Sequence, residues 1–96
     1  MPSPRAYVYI VRCRDGTFYI GTARDIAKRL ALHDAGKGAK YTRSRGPLQL
    51  AWQEGPMTVS RALRREYQLK QLTRAQKEAF VAGRLVLTLP RRRPAR

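Results

Sequence analysis

Residues 7–22, YVYIVRCRDGTFYIGT, constrain the fold of this chain more than any other stretch, because two β-rich runs meet there at a single turn signal. Val, Ile, Tyr and Phe are abundant in residues 6–12 and 17–21, which predicts two β-strands. Arg14-Asp15-Gly16 between them supplies residues that favour turns. The sequence therefore predicts an antiparallel β-hairpin near the start of the chain.

The length of the hairpin loop decides which side chains share a face. A two-residue turn at Asp15-Gly16 would put Tyr9 and Tyr19 on opposite faces. A three-residue loop with a left-handed Gly16 pairs Tyr9 with Gly21 instead, and both tyrosines then lie on one face, about 7 Å apart, with open space at Gly21. The opposite face carries the apolar residues Val8, Ile10, Phe18 and Ile20. We favour this register because it separates the two sets of side chains.

A helix is predicted over residues 26–35, after the hairpin. Asp25 is a suitable N-cap and Gly36 a suitable C-terminal stop. Arg29 and His33 lie one turn apart on this helix and can point at the same object. Taken alone, however, each is more often an ordinary surface arginine or a structural helix histidine.

The second half of the chain predicts one strand and two helices. Residues 48–54 alternate in polarity and indicate a third strand, which Glu54-Gly55-Pro56 would end in a turn. The second helix begins at a cap, Thr58 or Ser60, and runs to Leu72. The next residues match a capping box.

That box, Thr73 with Gln76, predicts a third helix over 74–82 that ends at Gly83. The apolar residues 85–89 form either a short strand or an extended packing segment. We expect residues 1–89 to be one domain and 90–96, PRRRPAR, to be a mobile basic tail.

Charge is the compositional feature that points to a partner. The 96 residues carry 21 Lys plus Arg against 6 Asp plus Glu, a formal net charge of +15. Such an excess is typical of proteins that bind polyanions, although generic solubilising charge is the alternative. Nucleic acid fits better than a membrane, because arginine suits phosphate and no basic amphipathic anchor is present. In the basic loop 37–47, the candidate nucleic-acid contacts are Lys37, Lys40, Tyr41, Arg43 and Arg45.

Cysteine usage and apolar run length indicate the compartment. Cys13 is the only cysteine, which excludes disulfide frameworks and Cys-based zinc sites. No apolar run approaches the roughly 18 residues of a transmembrane span. We therefore expect a soluble, cytoplasmic protein without a membrane partner, and we favour a monomer.

Glu66 is the most unusual residue of the second helix. Ala62, Leu63 and Leu69 define an apolar face, and Glu66 falls near its centre. A carboxylate there is costly unless it pairs with a cation. Lys70, one turn further on, is one possible partner, and a bound metal ion is the other.

These residues together resemble a known family. YVY at residues 7–9 and YIG at 19–21 resemble the two halves of the GIY-YIG nuclease signature, and a helix with Arg29 and His33 and a later helix with Glu66 follow in the order of that superfamily. GKGAKYTRSRGP and ALRREYQLKQLTRAQK resemble its small stand-alone bacterial branch. The resemblance spans residues 6 to about 82. Two departures are Tyr7 at the first signature glycine and the absence of any asparagine.

The resemblance implies an α+β fold in which helices flank a three-stranded antiparallel sheet. It also implies an endonuclease that hydrolyses phosphodiester bonds, with DNA as the favoured substrate in repair or processing. Glu66 would hold a divalent metal, Mg²⁺ or Mn²⁺, with water as its other ligands. The alternatives are a non-catalytic nucleic-acid-binding module on the same fold and, more distantly, a basic component of a ribonucleoprotein particle.

Specific roles follow from the same resemblance. Tyr9 would take a proton from the attacking water, with its pKa lowered by Arg29 and the metal. Tyr19 would position the water or the phosphate, and Arg29 would stabilise charge on the phosphoryl oxygens. His33 would hold Tyr9 or relay the proton. Tyr7 and Gly21 would be structural parts of the signature.

Overall fold

The computed structural model of the chain describes residues 5–34 and 48–89, with side chains for all of these except 33 and 34. The elements are β1 (Arg5–Arg12), β2 (Phe18–Ala23), α1 (Ile26–Asp34), β3 (Gln49–Thr58), α2 (Val59–Lys70) and α3 (Arg74–Val81). The strands form one antiparallel sheet in the order β2-β1-β3, so β1 is central and the other two strands are edges. This is the α+β architecture that the family resemblance implied.

The hairpin has the three-residue loop. Cys13 N donates to Thr17 O at 2.8 Å, Gly16 N donates to Cys13 O at 2.9 Å, and Gly16 has φ 83°. Tyr9 therefore pairs with Gly21, as the favoured register required. A left-handed residue is needed to close a type I turn into a hairpin, and glycine adopts it without a steric cost.

The two faces of the hairpin belong to two separate hydrophobic clusters. The face with Val8, Ile10 and Ile20 packs against α2 and α3 through Ala62, Leu69 and Phe80. The face with Tyr9 and Val11 packs against α1 through Ile26 and Leu30. The division of side chains predicted from the sequence is confirmed, with apolar residues under the C-terminal helices and tyrosines under α1.

The third strand is longer than predicted, and the predicted turn at Glu54-Gly55-Pro56 is wrong. β3 continues through these residues to Thr58 and pairs with the first residues of β1, with a register shift between Ala6 and Val8. Proline lacks an N–H and is tolerated on an edge strand or at a bulge, and β3 offers both. Gly55 lies close under Tyr7, where a Cβ would come within 2.7 Å of Tyr7 Cδ1.

The C-terminal helices are capped by threonines. Thr58, one of the two predicted caps, accepts a bond from Arg61 N at the start of α2, which ends at Lys70 rather than Leu72. Thr73 forms the predicted capping box with Gln76, and α3 ends one residue before the predicted Ala82. Caps satisfy backbone N–H groups that lack a partner within the helix, which fixes where each helix begins.

No strand forms in residues 85–89, so the extended packing segment is the correct alternative. Leu85 and Leu87 pack against the cluster under α2 and α3. Arg65 Nη1 donates to Leu87 O at 2.9 Å, and Gln68 Nε2 donates to Thr88 O at 2.8 Å. Side chains of α2 thus hold this segment in place of a sheet partner.

Candidate active site

Tyr9 lies at the centre of the candidate site. It sits in the middle of β1 and is 1% exposed. The Tyr9 and Tyr19 rings are 6.4 Å apart between centroids and tilted by 46°. Both tyrosines therefore lie on the same face of the hairpin, as predicted, because their strands pair in the three-residue-loop register.

The side chains of Tyr9 and Tyr19 both approach Gly21 closely. A Cβ built at Gly21 would lie 2.7 Å from Tyr9 Oη, 2.8 Å from Tyr9 Cζ and 3.3 Å from Tyr19 Cε1. The space opposite Tyr9 is therefore not open, as the sequence had suggested, but filled by the Tyr9 side chain itself. Glycine is required here because any larger residue would push the Tyr9 hydroxyl out of position.

Burial of the Tyr9 side chain is the largest influence on its pKa, which is raised to about 12. The nearby Tyr19 and Glu66 raise this pKa further, while the positive charge of Arg29 lowers it. The expected fall in the Tyr9 pKa depends on a bound metal as well as on Arg29, and in the protein alone the pKa is raised because one exposed guanidinium does not outweigh the loss of solvation. Tyr19 of β2, Arg29 of α1 and Glu66 of α2 are thus all close enough to Tyr9 of β1 for their charges to affect its pKa.

Glu66 lies at the border of the buried face of α2 rather than at its centre. The buried residues of this helix are Ala62, Arg65 and Leu69, whereas Leu63 is 52% exposed, so its predicted place on the apolar face is wrong. The Glu66 side chain is 20% exposed, and Lys70 Nζ lies 3.5 Å from Glu66 Oε2. The predicted structural partner of Glu66 is therefore present.

The donor set around Glu66 allows a weakly held hard cation. Among residues 5–32 and 48–89, no group of three or more His, Cys, Asp or Glu side chains could hold a metal ion. Magnesium commonly keeps several waters and binds through only one or two carboxylates. A partly exposed carboxylate whose charge affects the Tyr9 pKa fits such an ion, in competition with Lys70.

Several other predicted site residues are placed only in part. His33 lies on the last turn of α1, but its side chain is outside the described part of the chain. The candidate nucleic-acid contacts also lie outside the described residues: Lys37, Lys40, Tyr41, Arg43 and Arg45. Tyr7 is half-buried and packs beside the Tyr9 cluster, so the residue in place of the first signature glycine is accommodated within β1.

Sequence reasoning missed Arg65, which is 6% exposed and supports the helix that carries Glu66. Arg65 Nε and Nη2 donate to the two carboxylate oxygens of Glu54 at 2.8 and 3.2 Å. Arg65 Nη1 also donates to Gln68 Oε1 at 2.6 Å. A buried arginine must have its donors satisfied, and these bonds tie α2 to β3 and to the C-terminal segment.

Among the described residues, no helix has the length and apolar character needed to cross a lipid bilayer.

Comparison with known proteins identifies a family that matches this geometry. The model of the GIY-YIG catalytic domain matches residues 5–79. A UPF0213 protein of Halobacterium salinarum is 53% identical over 74 residues, which cover 77% of this chain and 96% of that protein. A UPF0213 protein of Staphylococcus saprophyticus is 52% identical over 76 residues, covering 79% of this chain and 93% of the relative.

Two solved structures share the fold. The solution NMR structure of a UPF0213 protein from Bacillus halodurans is 43% identical, has a TM-score of 0.55, and covers 82% of this chain and 84% of its own. That of a protein from E. faecalis is 37% identical, with a TM-score of 0.58, and covers 86% of this chain and 90% of its own.

Proposed function

Because the chain belongs to the GIY-YIG catalytic-domain family, we propose that it is a metal-dependent endonuclease that hydrolyses phosphodiester bonds, with DNA as the favoured substrate. The observation that supports this proposal is the placement of Tyr9 and Tyr19 on one face of the hairpin, with ring centroids 6.4 Å apart, where the charges of Arg29 and Glu66 also affect the Tyr9 pKa. A protein that only coats nucleic acid needs cations, but it does not need two tyrosines on one face with a carboxylate close enough to affect the pKa of one of them. The net charge of +15 supplies the affinity for the polyanion.

Each residue has a role in an in-line displacement at phosphorus. Tyr9 Oη accepts the proton of the attacking water when it is ionised, and Tyr19 fixes the position of the water or the phosphate. Arg29 carries a permanent positive charge beside them and stabilises the negative charge that develops on the phosphoryl oxygens. His33, on the same helix, holds Tyr9 or relays its proton.

Glu66 is the residue that would hold the divalent metal, Mg²⁺ or Mn²⁺. When bound, such an ion supplies positive charge that stabilises the leaving oxygen and increases the acidity of groups around it. Its competitor in the protein alone is Lys70, at 3.5 Å. Glu66 therefore either exchanges the ammonium group for the cation or keeps it as a structural partner, and these two roles make different predictions.

Glu66→Gln separates the two roles, because it keeps the size of the side chain and removes its charge. If Glu66 holds the metal, the variant folds, binds nucleic acid at least as well as the wild type, and loses nearly all Mg²⁺-dependent cleavage. Tyr9→Phe is expected to give the same result through loss of the hydroxyl. Glu78→Gln is the matched control. Glu78 lies on α3 and pairs with Arg12 of β1, so the substitution removes the same charge away from the site, and this variant should cleave normally.

The assay is cleavage of labelled single-stranded, double-stranded and branched DNA and RNA, with Mg²⁺ or Mn²⁺ against EDTA. Full cleavage by a folded Glu66→Gln protein would remove the metal assignment. Loss of stability in that variant, with residual activity that follows the folded fraction, would favour the Glu66–Lys70 pair as structural. Absence of cleavage by the wild type on every substrate and with either metal would favour the alternative, a non-catalytic nucleic-acid-binding module on the same fold.

The remaining parts of the proposal concern the setting. Cys13 is buried and is the only cysteine of the sequence, so it forms no disulfide within the chain, which suits a reducing cytoplasmic location. A single domain that carries all of the site residues needs no second copy to complete the site, so we propose a monomer that acts in DNA repair or processing.

A further inference from the structure

A groove runs along the outer edge of β2, between this strand and helices α2 and α3. Two adjoining cavities of about 290 and 180 Å³ form it, and both are lined by Phe18 and Lys77. We call this the β2 groove. Its lining residues are Thr17, Phe18, Tyr19, Ile20, Lys70, Arg74 and Lys77. Because Tyr19 and Lys70 also belong to the candidate active site, the groove leads directly away from that site.

The charge of the β2 groove has one sign. Lys70, Arg74 and Lys77 line it, and no acidic side chain among the residues that the structure describes does so. The nearest carboxylate on α3, Glu78, is already engaged by both terminal nitrogens of Arg12, at 3.0 and 3.2 Å. Lys77 forms no ion pair with any residue in the described ranges, so its charge is available to a ligand in the groove.

The backbone of β2 adds hydrogen-bond donors to the same groove. Antiparallel partners alternate between bonded and non-bonded pairs. Since Cys13 N donates to Thr17 O, the Arg12–Phe18 and Ile10–Ile20 pairs are the non-bonded ones. The N–H groups of Phe18 and Ile20 therefore point away from β1, toward the free edge that the groove follows.

We infer that the β2 groove binds the phosphodiester backbone of a nucleic-acid strand on one side of the candidate active site. Amide donors and lysine ammonium groups along a narrow cleft are suited to phosphate oxygens and carry no base specificity. The inference rests on the proposed function for the identity of the occupant. It goes further by assigning the path of the strand to β2 and α3, far along the chain from the basic loop 37–47.

The first test measures how binding of a single-stranded DNA oligonucleotide depends on salt, and it requires no cleavage. Each lost phosphate contact lowers the slope of log K against log salt by about 0.7 on a single strand. Lys77→Gln should show this decrease, so its affinity should fall about 2.5- to 3-fold less than that of the wild type between 50 and 200 mM salt. Lys77→Arg keeps the charge and should keep the wild-type slope.

Lys28→Gln is the matched control, because it makes the same substitution at an exposed lysine of α1, away from the groove. It lowers the net charge equally but should leave the slope unchanged. A decrease at Lys77 that is no larger than the decrease at Lys28 would overturn the inference, since the effect would then reflect total charge.

The second test locates the strand. Cys13 is the only cysteine and is 3% exposed, so Lys77→Cys supplies a single accessible thiol. A DNA oligonucleotide whose tethered thiol, on one backbone phosphate, is activated as a mixed disulfide with a small thiol should form a disulfide with this variant by thiol–disulfide exchange, releasing the small thiol, and should not do so with Lys28→Cys. Equal or absent trapping at both positions would refute the path, whereas a failure of the proposed function would appear only in the cleavage assay.

Discussion

Gly21→Ala tests the packing that holds Tyr9 in place. The added methyl group would lie 2.7 Å from Tyr9 Oη and 2.8 Å from Tyr9 Cζ, both closer than side-chain carbons are ordinarily found. A hydroxyl at the end of an exposed side chain could move aside, but Tyr9 is only 1% exposed and packs against β1, β2 and α1 neighbours. The crowding must therefore be relieved by shifting a buried ring or the strand.

The magnitude follows from two opposing effects. Overpacking a buried site costs about 1–3 kcal/mol. Replacing glycine by alanine restricts the unfolded chain and returns about 0.4–1 kcal/mol. With the middle of each range, the expected net loss in the free energy of unfolding is about 1.3 kcal/mol, which corresponds to a decrease in Tm of about 5–10 °C for a domain of this size.

Urea denaturation followed by circular dichroism measures this loss directly. In the Gly21→Ala/Tyr9→Phe double variant, the contact with Oη disappears and the contact with the ring carbon remains. The cost of the added methyl group should therefore be smaller in the Phe background than in the wild type, but not zero. A Gly21→Ala protein as stable as the wild type, or more stable, would refute the close approach.

Three further expectations follow from the same contacts. If Tyr9 is the base, cleavage should rise about tenfold per pH unit as long as the pH stays below the pKa of Tyr9 in the metal complex, and a rate that does not rise anywhere between pH 6 and 9 would argue against that role. The raised pKa of Tyr9 also stabilises the folded state fully below pH 10, and this contribution is lost as the pH rises toward 12. The free energy of unfolding of the wild type should therefore fall relative to that of Tyr9→Phe over this window. Arg65→Met should lower the free energy of unfolding by about 2–4 kcal/mol in urea melts, because Glu54 and Leu87 O lose their donor, while the same change at the exposed Arg24 should stay within about 0.5 kcal/mol.

The hairpin was predictable because two independent rules agree on it. Turn chemistry allows a left-handed Gly16, and period-two alternation requires the register that separates tyrosines from aliphatic residues. The helix caps at Thr58 and Thr73 were readable for the same reason, since a cap needs only a local side chain and the next turn of backbone. Local signals of this kind survive folding because no distant contact competes with them.

The misread features all depend on distant contacts. Gly55-Pro56 has the composition of a turn but lies in β3, because the first residues of β1 offer pairing partners. Leu63, expected on the apolar face of α2, is 52% exposed, whereas Arg65 is buried because Glu54 neutralises its guanidinium and Leu87 O accepts a hydrogen bond from it. Hydrophobic periodicity ranks side chains by polarity and contains no information on a partner more than ten positions away.

The candidate site divides in the same way. The shared face of Tyr9 and Tyr19 followed from the hairpin register, whereas the burial that raises the pKa of Tyr9 follows from α1 packing over the sheet. The partner of Glu66 was predictable because Lys70 is one helical turn away. The β2 groove combines an edge strand with α3, and no sequence pattern places those two elements side by side.

Two neighbouring positions on α2 have different roles, and this limits which insertions and deletions the helix can tolerate. Arg65 is buried and fastens the helix, while Glu66 lies 100° further round, where its charge affects the Tyr9 pKa. Deleting one codon upstream within α2 would rotate Glu66 into the place of Arg65, so a carboxylate would enter the Glu54 contact. Inserting one codon would rotate Arg65 into the place of Glu66, so in either case the site would lose its carboxylate. In a mutational scan, insertions and deletions within α2 should therefore be depleted after selection. Point substitutions on its outer face, such as those at the exposed Leu63, should remain at their initial frequency.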